Sequence, residues 1–283
     1  MDGVVTLRTL DDANNILAQI KNIKSAVVIG GGVLGLETAG ALAAKSCKVK
    51  VIESFPWLMP RQMNKKAAAL LKQNMGKIGV EVLTGVSVDS LNGDERVAGV
   101  QIKDGKNISA DLVIITAGVR PNSYLARKAG LRVGQGIIVD DFMQTSDPAI
   151  YAAGDIAEHR GITYGLWNAA QFQGSIAGMN AVDNVAEFGG IPRSNSIKVL
   201  GFDLLSIGKF EPEDGSDLVI EAECEGNYSL FLFRDTYLKG SILFGDTRIS
   251  GQVKKAIEDG TDFSGFLNQK PNASEIWRFI ESL

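Results

Sequence analysis

The sequence predicts an α/β protein in three parts: a parallel-sheet domain with a β-hairpin excursion, a middle part of different character between Gly118 and Gly190, and a C-terminal α+β domain. Three observations lead there. Short, β-branched apolar runs alternate with helix-period segments up to Thr116, as expected of strands buried on both faces and joined by crossover helices. A glycine turn, GGGVLG from Gly30 to Gly35, joins the first of those runs to its helix. From Ile191 onward the pattern changes to alternating strands that end in helical stretches.

Taken in order, TLDDANNILAQIKN opens as a capped helix, with Asp11 or Asp12 near its start and Ile16, Leu17 and Ile20 at helical spacing. It leads into the apolar strand SAVVIG, the helix VLGLETAGALAAK and the strand KVKVIE at Lys48 to Glu53. Together these make a strand–turn–helix–strand unit of roughly 30 residues. NKKAAALLKQNMGKIG reads as another helix and VEVLTG as another strand. In RVAGVQIKDGKNISADLVIIT the Asp104-Gly105 pair signals a hairpin, followed by an apolar strand from Leu112 to Thr116. After Gly118 come a proline-containing turn, GIIVDDFMQTSDPAIYAAGD, and a long small-residue helix in GLWNAAQFQGSIAGMNAVDNV. SIKVLGFDLLSIGKF, NYSLFLFRD and YLKGSILFGD alternate as strands before two closing helical stretches. The expected parts are a linker and lead-in helix at 1–24, a sheet domain at 25–118, a middle part at 119–190 and a C-terminal domain at 191–283.

With 283 residues, 45% of them hydrophobic and 22% charged, the chain can bury a substantial core. A net charge of −4 offers no electrostatic reason to expect nucleic acid. Cys47 and Cys224 stand far apart, so neither a disulfide framework nor a zinc site is expected, and no metal site is assigned. That usage fits a reducing, cytoplasmic compartment. No apolar run approaches the ~20 residues that span a bilayer, and membrane anchoring is not expected. Glycine is in excess, 32 residues or about 11% against an average of ~7%, and implies sharp turns and close backbone approaches.

Gly30-Gly31-Gly32-Val33-Leu34-Gly35 satisfies G-x-G-x-x-G directly after a strand and at the start of a helix. Gly30 permits the tight turn, Gly32 lets the backbone approach a pyrophosphate, and Gly35 allows close helix-to-strand packing. The helix start offers free N–H groups and positive dipole character. Glu53 ends the second strand 23 positions beyond Gly30, where a carboxylate accepts hydrogen bonds from an adenosine ribose. A carboxylate there repels a 2′-phosphate, and no Lys or Arg stands between Ser54 and Pro60, so NADH is favoured over NADPH. A glycine turn without a ligand is the bland alternative; strand, helix and Glu53 in register weigh against it.

TSDPAIYAAGD (Thr145 to Asp155), taken with GLWNAAQFQGSIAG, GGGVLGLETA, TAGVRPN and Glu53, resembles the flavin-dependent pyridine nucleotide–disulfide oxidoreductase superfamily over nearly the whole chain. LMPRQMN, YGLWNAAQFQG, IKVLGFDLLSIGKF and GSILFGDT are most similar to NADH:rubredoxin oxidoreductases and to the flavin half of NAD(P)H nitrite reductase large subunits. The resemblance implies a Rossmann-like NAD(H) domain at 25–118, the C-terminal half of an FAD-binding domain at 119–190 and a C-terminal interface domain. It places Gly154 and Asp155 at the flavin's ribityl and pyrophosphate region. Gly165, Leu166 and Trp167 would start a helix whose N–H groups face the flavin pyrimidine, a role suited to a helix N-terminus. Glu37 would lie by the nicotinamide carboxamide and Gly118 would line the nicotinamide cleft. On spacing alone two plain readings stay open, Glu37 as a first-turn carboxylate stabilised by the helix dipole and Asp155 as a turn aspartate after Gly154.

The disulfide reductases of this superfamily use a histidine near the C-terminus, and none follows His159, the sole histidine. Disulfide reduction is therefore not expected. His159 reads as a surface-loop residue, the alternative being one that tunes acceptor access near a flavin edge. Cys47 and Cys224 read as inert, and Trp57, Trp167 and Trp277 as packing residues, of which only Trp167 lies in a flavin motif. The resemblance also implies a first FAD-binding glycine turn that these residues lack, so a C-terminal fragment, with Met1 a new start, is expected. Its half flavin domain would leave an apolar face to be covered by self-association or by a separate flavin-binding half. The expected activity of the parent is hydride transfer from NADH to FAD, then electrons to a protein, metal centre or small acceptor. The flavin would carry the chemistry and no side chain here would be catalytic. The rival is a non-catalytic nucleotide-binding or assembly module.

Overall fold

The computed structural model describes residues 1–191 and 194–283. Pro192 and Arg193, inside the C-terminal part expected from 191, lie outside the described residues. The chain forms two compact units, Met1–Gly118 with Ser194–Leu283, and Val119–Arg193.

The first unit opens with β1 (Val4–Thr6) and α1 (Leu10–Ile20). Thr9 caps α1, accepting from the Asp12 N–H while the Asp12 carboxylate accepts from the Thr9 N–H, so Asp12 acts from the third helical position rather than as the cap itself. The lead-in also supplies an edge strand, because β1 pairs with a later strand. There follow β2 (Ser25–Ile29), α2 (Val33–Ala43), β3 (Lys48–Glu53), α3 (Lys65–Lys77) and β4 (Val80–Thr84). β5 (Val88–Asn92), β6 (Gly99–Ile102) and β7 (Asn107–Ser109) form the antiparallel excursion, and β8 (Leu112–Ile115) returns to the main sheet. The expected Asp104-Gly105 hairpin joins β6 to β7, and β5 adds a third strand.

The main sheet is parallel, in the order β1-β8-β2-β3-β4. Its central strands are apolar on both faces because each face is covered: Val28, Val51 and Ile114 contribute to one core, and Val27, Ile52 and Val113 to another under the excursion. Asp111 fixes the sheet's entry edge, its Oδ2 accepting from the Lys24 and Ser25 N–H groups, each at 2.9 Å. These strands deliver Ile29, Glu53 and Ile115 to one end of the sheet, and that end carries the site.

The second unit contains α4 (Tyr124–Lys128), β9 (Ile137–Val139), a single 3-10 turn at Gly154–Ile156, β10 (Ala157–His159) and α5 (Trp167–Asn180). β9 and β10 pair in parallel. Phe188, Met143, Ala157 and Ile176 form its small core.

The chain then returns to the first unit as an antiparallel sheet of β11 (Ser194–Val199), β12 (Phe202–Gly208), β13 (Asp217–Cys224), β14 (Asn227–Arg234) and β15 (Tyr237–Phe244), in the order β11-β12-β15-β14-β13. α6 (Ser250–Glu258), α7 (Ser264–Leu267) and α8 (Ala273–Glu281) complete it. The two-residue period of a strand explains its continuous apolar runs. Along β14, Tyr228, Leu230 and Leu232 face the core shared with α2, α3 and the parallel sheet, whereas Phe231 and Phe233 pack with α6 and α8. The parallel and antiparallel sheets therefore share one apolar core.

A polar chain runs from the buried Tyr228 at the margin of that core out to solvent. Asn64 caps α3 through its Oδ1, accepting from the Ala67 N–H at 3.0 Å, and its Nδ2 donates to the Tyr228 hydroxyl at 2.6 Å. Tyr228 in turn donates to Glu221 Oε2 at 2.5 Å, and Lys66 closes the chain on Glu221. Tyr228→Phe removes the partner of the Asn64 amide and of one Glu221 oxygen, both half-buried, and a net hydrogen bond is worth about 0.5–1.5 kcal/mol. Denaturant unfolding should give a loss of that size in a single transition; a variant as stable as the parent would show that the chain contributes nothing.

Candidate functional site

At the carboxyl end of the parallel sheet the backbone makes one sharp turn from β2 into α2. Gly30 adopts φ +116°, and a Cβ there would lie 2.6 Å from the Thr116 carbonyl oxygen. A Cβ on Gly35 would overlap the Gly30 carbonyl oxygen, so α2 can press onto the turn only without a side chain at that position. Gly32 differs from both: it caps α2 in extended backbone, with no side-chain cap and, among the described residues beyond its own chain neighbours, no atom within 4 Å of the place a Cβ would occupy. The first helical bond runs from the Leu36 N–H to the Gly32 carbonyl, and among the described residues the amides of Val33, Leu34 and Gly35 meet no acceptor. An open notch beside three free amides at a helix N-terminus can hold an anionic oxygen group such as a pyrophosphate.

Glu53 closes the other side. It is 8% exposed, with Oε2 accepting from the Gly31 N–H at 2.7 Å and Oε1 from the Phe55 N–H at 2.8 Å. The Ser54 hydroxyl adds a third bond, to Oε1 at 3.2 Å; of the carboxylate's roughly four lone-pair sites one, on Oε2, is left for a hydroxyl donor. Thr116, just past β8, is the member sequence reasoning missed. Its Oγ1 donates to the Ile29 carbonyl at 3.1 Å and lies 3.3 Å from that of Gly30, so it braces the turn from the neighbouring strand. Gly118 lies two residues beyond Thr116, exposed, at φ +91°. Glu37 sits further along α2, its Oε1 accepting from the Leu200 N–H at 2.8 Å. The structure thus gathers Gly30 to Gly35, Glu53 and Thr116 into one constellation, while Glu37 reaches to the β11–β12 turn.

In the second unit, Gly154 and Asp155 form the 3-10 turn after Ala153, with Asp155 exposed. Gln173 of α5 holds that turn: its Oε1 accepts from the Gly154 N–H at 2.9 Å. Among the described residues its Nε2 has no partner, although the residue is 1% exposed. Gly165 and Leu166 lead into α5, which begins at Trp167 with no side-chain cap, so among the described residues its first amides meet no acceptor. The turn and the start of α5, read separately from two motifs, belong to one local arrangement.

Two expectations are corrected. Trp167 is 76% exposed; as the first residue of α5 it projects from the fold instead of packing in it. Trp57 and Trp277 do pack against apolar clusters. His159 is 1% exposed rather than on a surface loop. It ends β10 and turns inward, its ring edge-on to Phe188 with centroids 4.9 Å apart. Its Nε2 lies 2.7 Å from Asp141 Oδ1, which as an acceptor makes Nε2 the donor. Arg160 forks onto the same carboxylate at 2.9 and 2.7 Å. Of the two thiols, Cys47 is buried, and that burial, with the charge of Asp111 adding to it, pushes it above its ordinary range.

The model of the pyridine nucleotide-disulphide oxidoreductase family matches residues 1–174, and that of the rubredoxin NAD+ reductase C-terminal domain matches residues 194–261. The NAD(P)H nitrite reductase of Bacillus subtilis is 38% identical over 264 residues, 93% of this chain and 33% of that protein. The NADH-rubredoxin oxidoreductase of Clostridium acetobutylicum is 30% identical over 264 residues, 93% of this chain and 65% of that protein. The chain therefore spans less than two thirds of the length of either relative. Among solved structures, the NAD-dependent persulfide reductase of A. fulgidus superposes with a TM-score of 0.83 at 28% identity, over 94% of this chain and 55% of that one. The NADH:rubredoxin oxidoreductase of Clostridium acetobutylicum gives 0.75 at 29% identity, over 100% and 69%.

The Asp141 carboxyl is held down at about 2, first by the Arg160 hydrogen bonds and then by that of His159. A folded-state value below the ordinary ~3.9 contributes stability above pH about 4 that is lost as pH falls toward 2. The stability difference between the parent and Asp141→Asn should accordingly be largest above pH about 4 and shrink toward pH 2. A difference equal at pH 2.5 and pH 6 in urea unfolding would exclude this coupling.

Proposed function

The chain belongs to the pyridine nucleotide-disulphide oxidoreductase family, and from that premise we propose that it carries the NADH-binding site and part of the FAD-binding site of a flavoprotein oxidoreductase. The observation that carries the reading is the bare start of α2, where Gly32 leaves a notch no protein atom fills beside three unpaired amides. Those amides, from Val33 to Gly35, bind the pyrophosphate of NADH. Glu53 takes an adenosine ribose hydroxyl and, as a buried carboxylate, disfavours a 2′-phosphate. Gly118 lines the path of the nicotinamide half, and Glu37 faces its carboxamide.

The division of labour is part of the proposal, with 25–118 as the NAD(H) domain, 119–190 as half of the FAD domain and 191–283 as the interface domain. Gly154 and Asp155 hold the ribityl and pyrophosphate region of FAD, and the free amides at Gly165, Leu166 and Trp167 meet its pyrimidine edge. When bound, FAD supplies the hydride-accepting and electron-releasing chemistry. The residues of this chain orient the two cofactors and exclude water, and none acts as an acid or base. The acceptor is a small redox protein such as rubredoxin, a metal centre or a small molecule. Val119, Leu125, Trp167, Val182 and Val185 of the second unit are exposed apolar side chains, each available to a further flavin-binding segment or a second copy.

A non-catalytic nucleotide-binding module would use the same glycine turn. The buried, unpartnered Gln173 amide beside the Gly154 turn favours the flavoprotein instead, since a nucleotide sensor has no use for a second prepared site.

Calorimetry with NADH and NADPH, beside a flavin spectrum taken on FAD titration, tests the proposal. NADH should bind more tightly than NADPH, and FAD only weakly unless a complementary flavin-binding segment is supplied. Gly32→Ala should weaken NADH roughly tenfold or more, a lost charge-assisted hydrogen bond being worth about 1.5–3 kcal/mol. The same change should shift stability by less than about 1 kcal/mol, because the added methyl meets only the ligand. Equal NADH affinity in Gly32→Ala and the parent would remove the notch from the site.

A further inference from the structure

The sequence between β11 and β12 is Val199-Leu200-Gly201-Phe202, a two-residue hairpin turn. Both central residues have positive φ, +53° at Leu200 and +84° at Gly201. Such turns favour Asn-Gly or Gly-Gly, and a branched side chain in the left-handed region is strained. Leucine keeps this position nevertheless, and its surroundings give the reason.

Leu200 is a plug. Gly40, buried on α2, leaves a socket that a Cβ would fill, and the three atoms nearest to such a Cβ all belong to the Leu200 side chain. With the side chain seated there, the Leu200 N–H donates to Glu37 Oε1, less than one helical turn before Gly40. Among the described residues Glu37 Oε2 has no partner. The hairpin tip therefore fixes the rotation of the Glu37 carboxylate and leaves one oxygen for an outside donor. Glu37 lies five residues beyond Gly32, roughly 7 Å further along the helix axis at 1.5 Å per residue. A dinucleotide anchored by its pyrophosphate at the notch would bring its second half within reach of that oxygen.

We propose that the tip of the β11–β12 hairpin is a positioning device for the nicotinamide half of bound NADH, with Leu200 as the positioning residue acting through Glu37. The proposal rests on the nucleotide reading of the glycine turn. It gives the C-terminal sheet a part in nucleotide binding through Leu200. The carboxamide of nicotinamide, an N–H donor, is the group the free Glu37 oxygen would accept from. A neutral amide donor suits an acceptor whose other oxygen is already committed to a backbone amide.

The test compares NADH with ADP-ribose, which keeps the adenosine, ribose and pyrophosphate but lacks nicotinamide. Both are titrated calorimetrically into the full chain, the parent beside Gly40→Ala and Gly40→Leu, and amide hydrogen exchange is followed at Leu200. The larger variant is included because Leu200 can rotate off an alanine, and both substitutions favour the helix that carries them. Leu200→Gly is the second line of attack, since it keeps the left-handed turn and empties the socket. Expelling the plug should speed exchange at Leu200 and weaken NADH roughly tenfold, the scale of one hydrogen bond, while ADP-ribose stays within about twofold. Faster exchange with an unchanged NADH to ADP-ribose affinity ratio overturns the proposal and leaves the plug a purely structural tie. Equal weakening of both ligands overturns it as well, because the effect would then be on the turn as a whole. A parent chain that binds neither ligand instead sinks the nucleotide reading, and this proposal falls with it.

Discussion

The buried Glu53 carboxylate is the constraint around which the first unit is built. A carboxylate at the end of a parallel strand, 8% exposed, is costly unless it is hydrogen-bonded. Here the backbone answers it, with the Gly31 and Phe55 amides each giving one bond. Those bonds fix the glycine turn at the same time, because Gly31 lies inside it. The turn can then accept α2 at close range only if Gly35 lacks a side chain and Thr116 braces it from β8. Charge, turn and helix approach are one solution. The result is a helix start with its amides bare and a carboxylate beside it, an arrangement suited to a ligand that is anionic in the middle and hydroxyl-rich at one side.

The second unit uses different physics for a similar end. It has little parallel sheet and a small core, so side-chain hydrogen bonds do more of the ordering. Gln173 ties α5 to the Gly154 turn. Asp141 gathers His159 and Arg160, and Arg160 also donates to the Gly189 carbonyl at 3.2 Å. Each of these contacts joins residues between 18 and 29 positions apart in sequence. Such cross-links hold a unit whose apolar side chains are in good part exposed.

Much of this was legible in the sequence wherever the signal is local. The strand–turn–helix–strand from Ser25 to Glu53, the Asn64 to Gly79 helix region and the Asp104-Gly105 hairpin follow from periodicity and turn chemistry alone. The two motifs likewise mark both helix starts. What the sequence hid is set by partners distant along the chain. Thr116 is an ordinary residue until β8 is laid beside β2. His159 reads as a loop residue because nothing near it in sequence reveals Asp141 or Phe188. Trp167 reads as core because tryptophan usually is, yet its place at the first position of an uncapped helix carries it outward. Leu200 gives the least warning, since Leu-Gly is a poor hairpin turn and the reason for it lies on α2, 160 positions earlier.

The shared core of the two sheets determines how far the consequences of ligand binding extend. Residues 1–118 and 194–283 form one compact unit although 75 residues intervene in sequence. Tyr228, Leu230 and Leu232 of β14 are in the same apolar cluster as Leu36 of α2 and Val51 of β3, while Asn64 and Leu200 add polar ties across the boundary. A ligand that binds only the folded turn stabilises whatever unfolds together with that turn. Because the antiparallel sheet cannot leave the shared core without exposing α2 and α3, it unfolds with the turn and is stabilised by a ligand it does not touch. Reciprocity follows: whatever steadies the antiparallel sheet steadies the folded turn that shares its core.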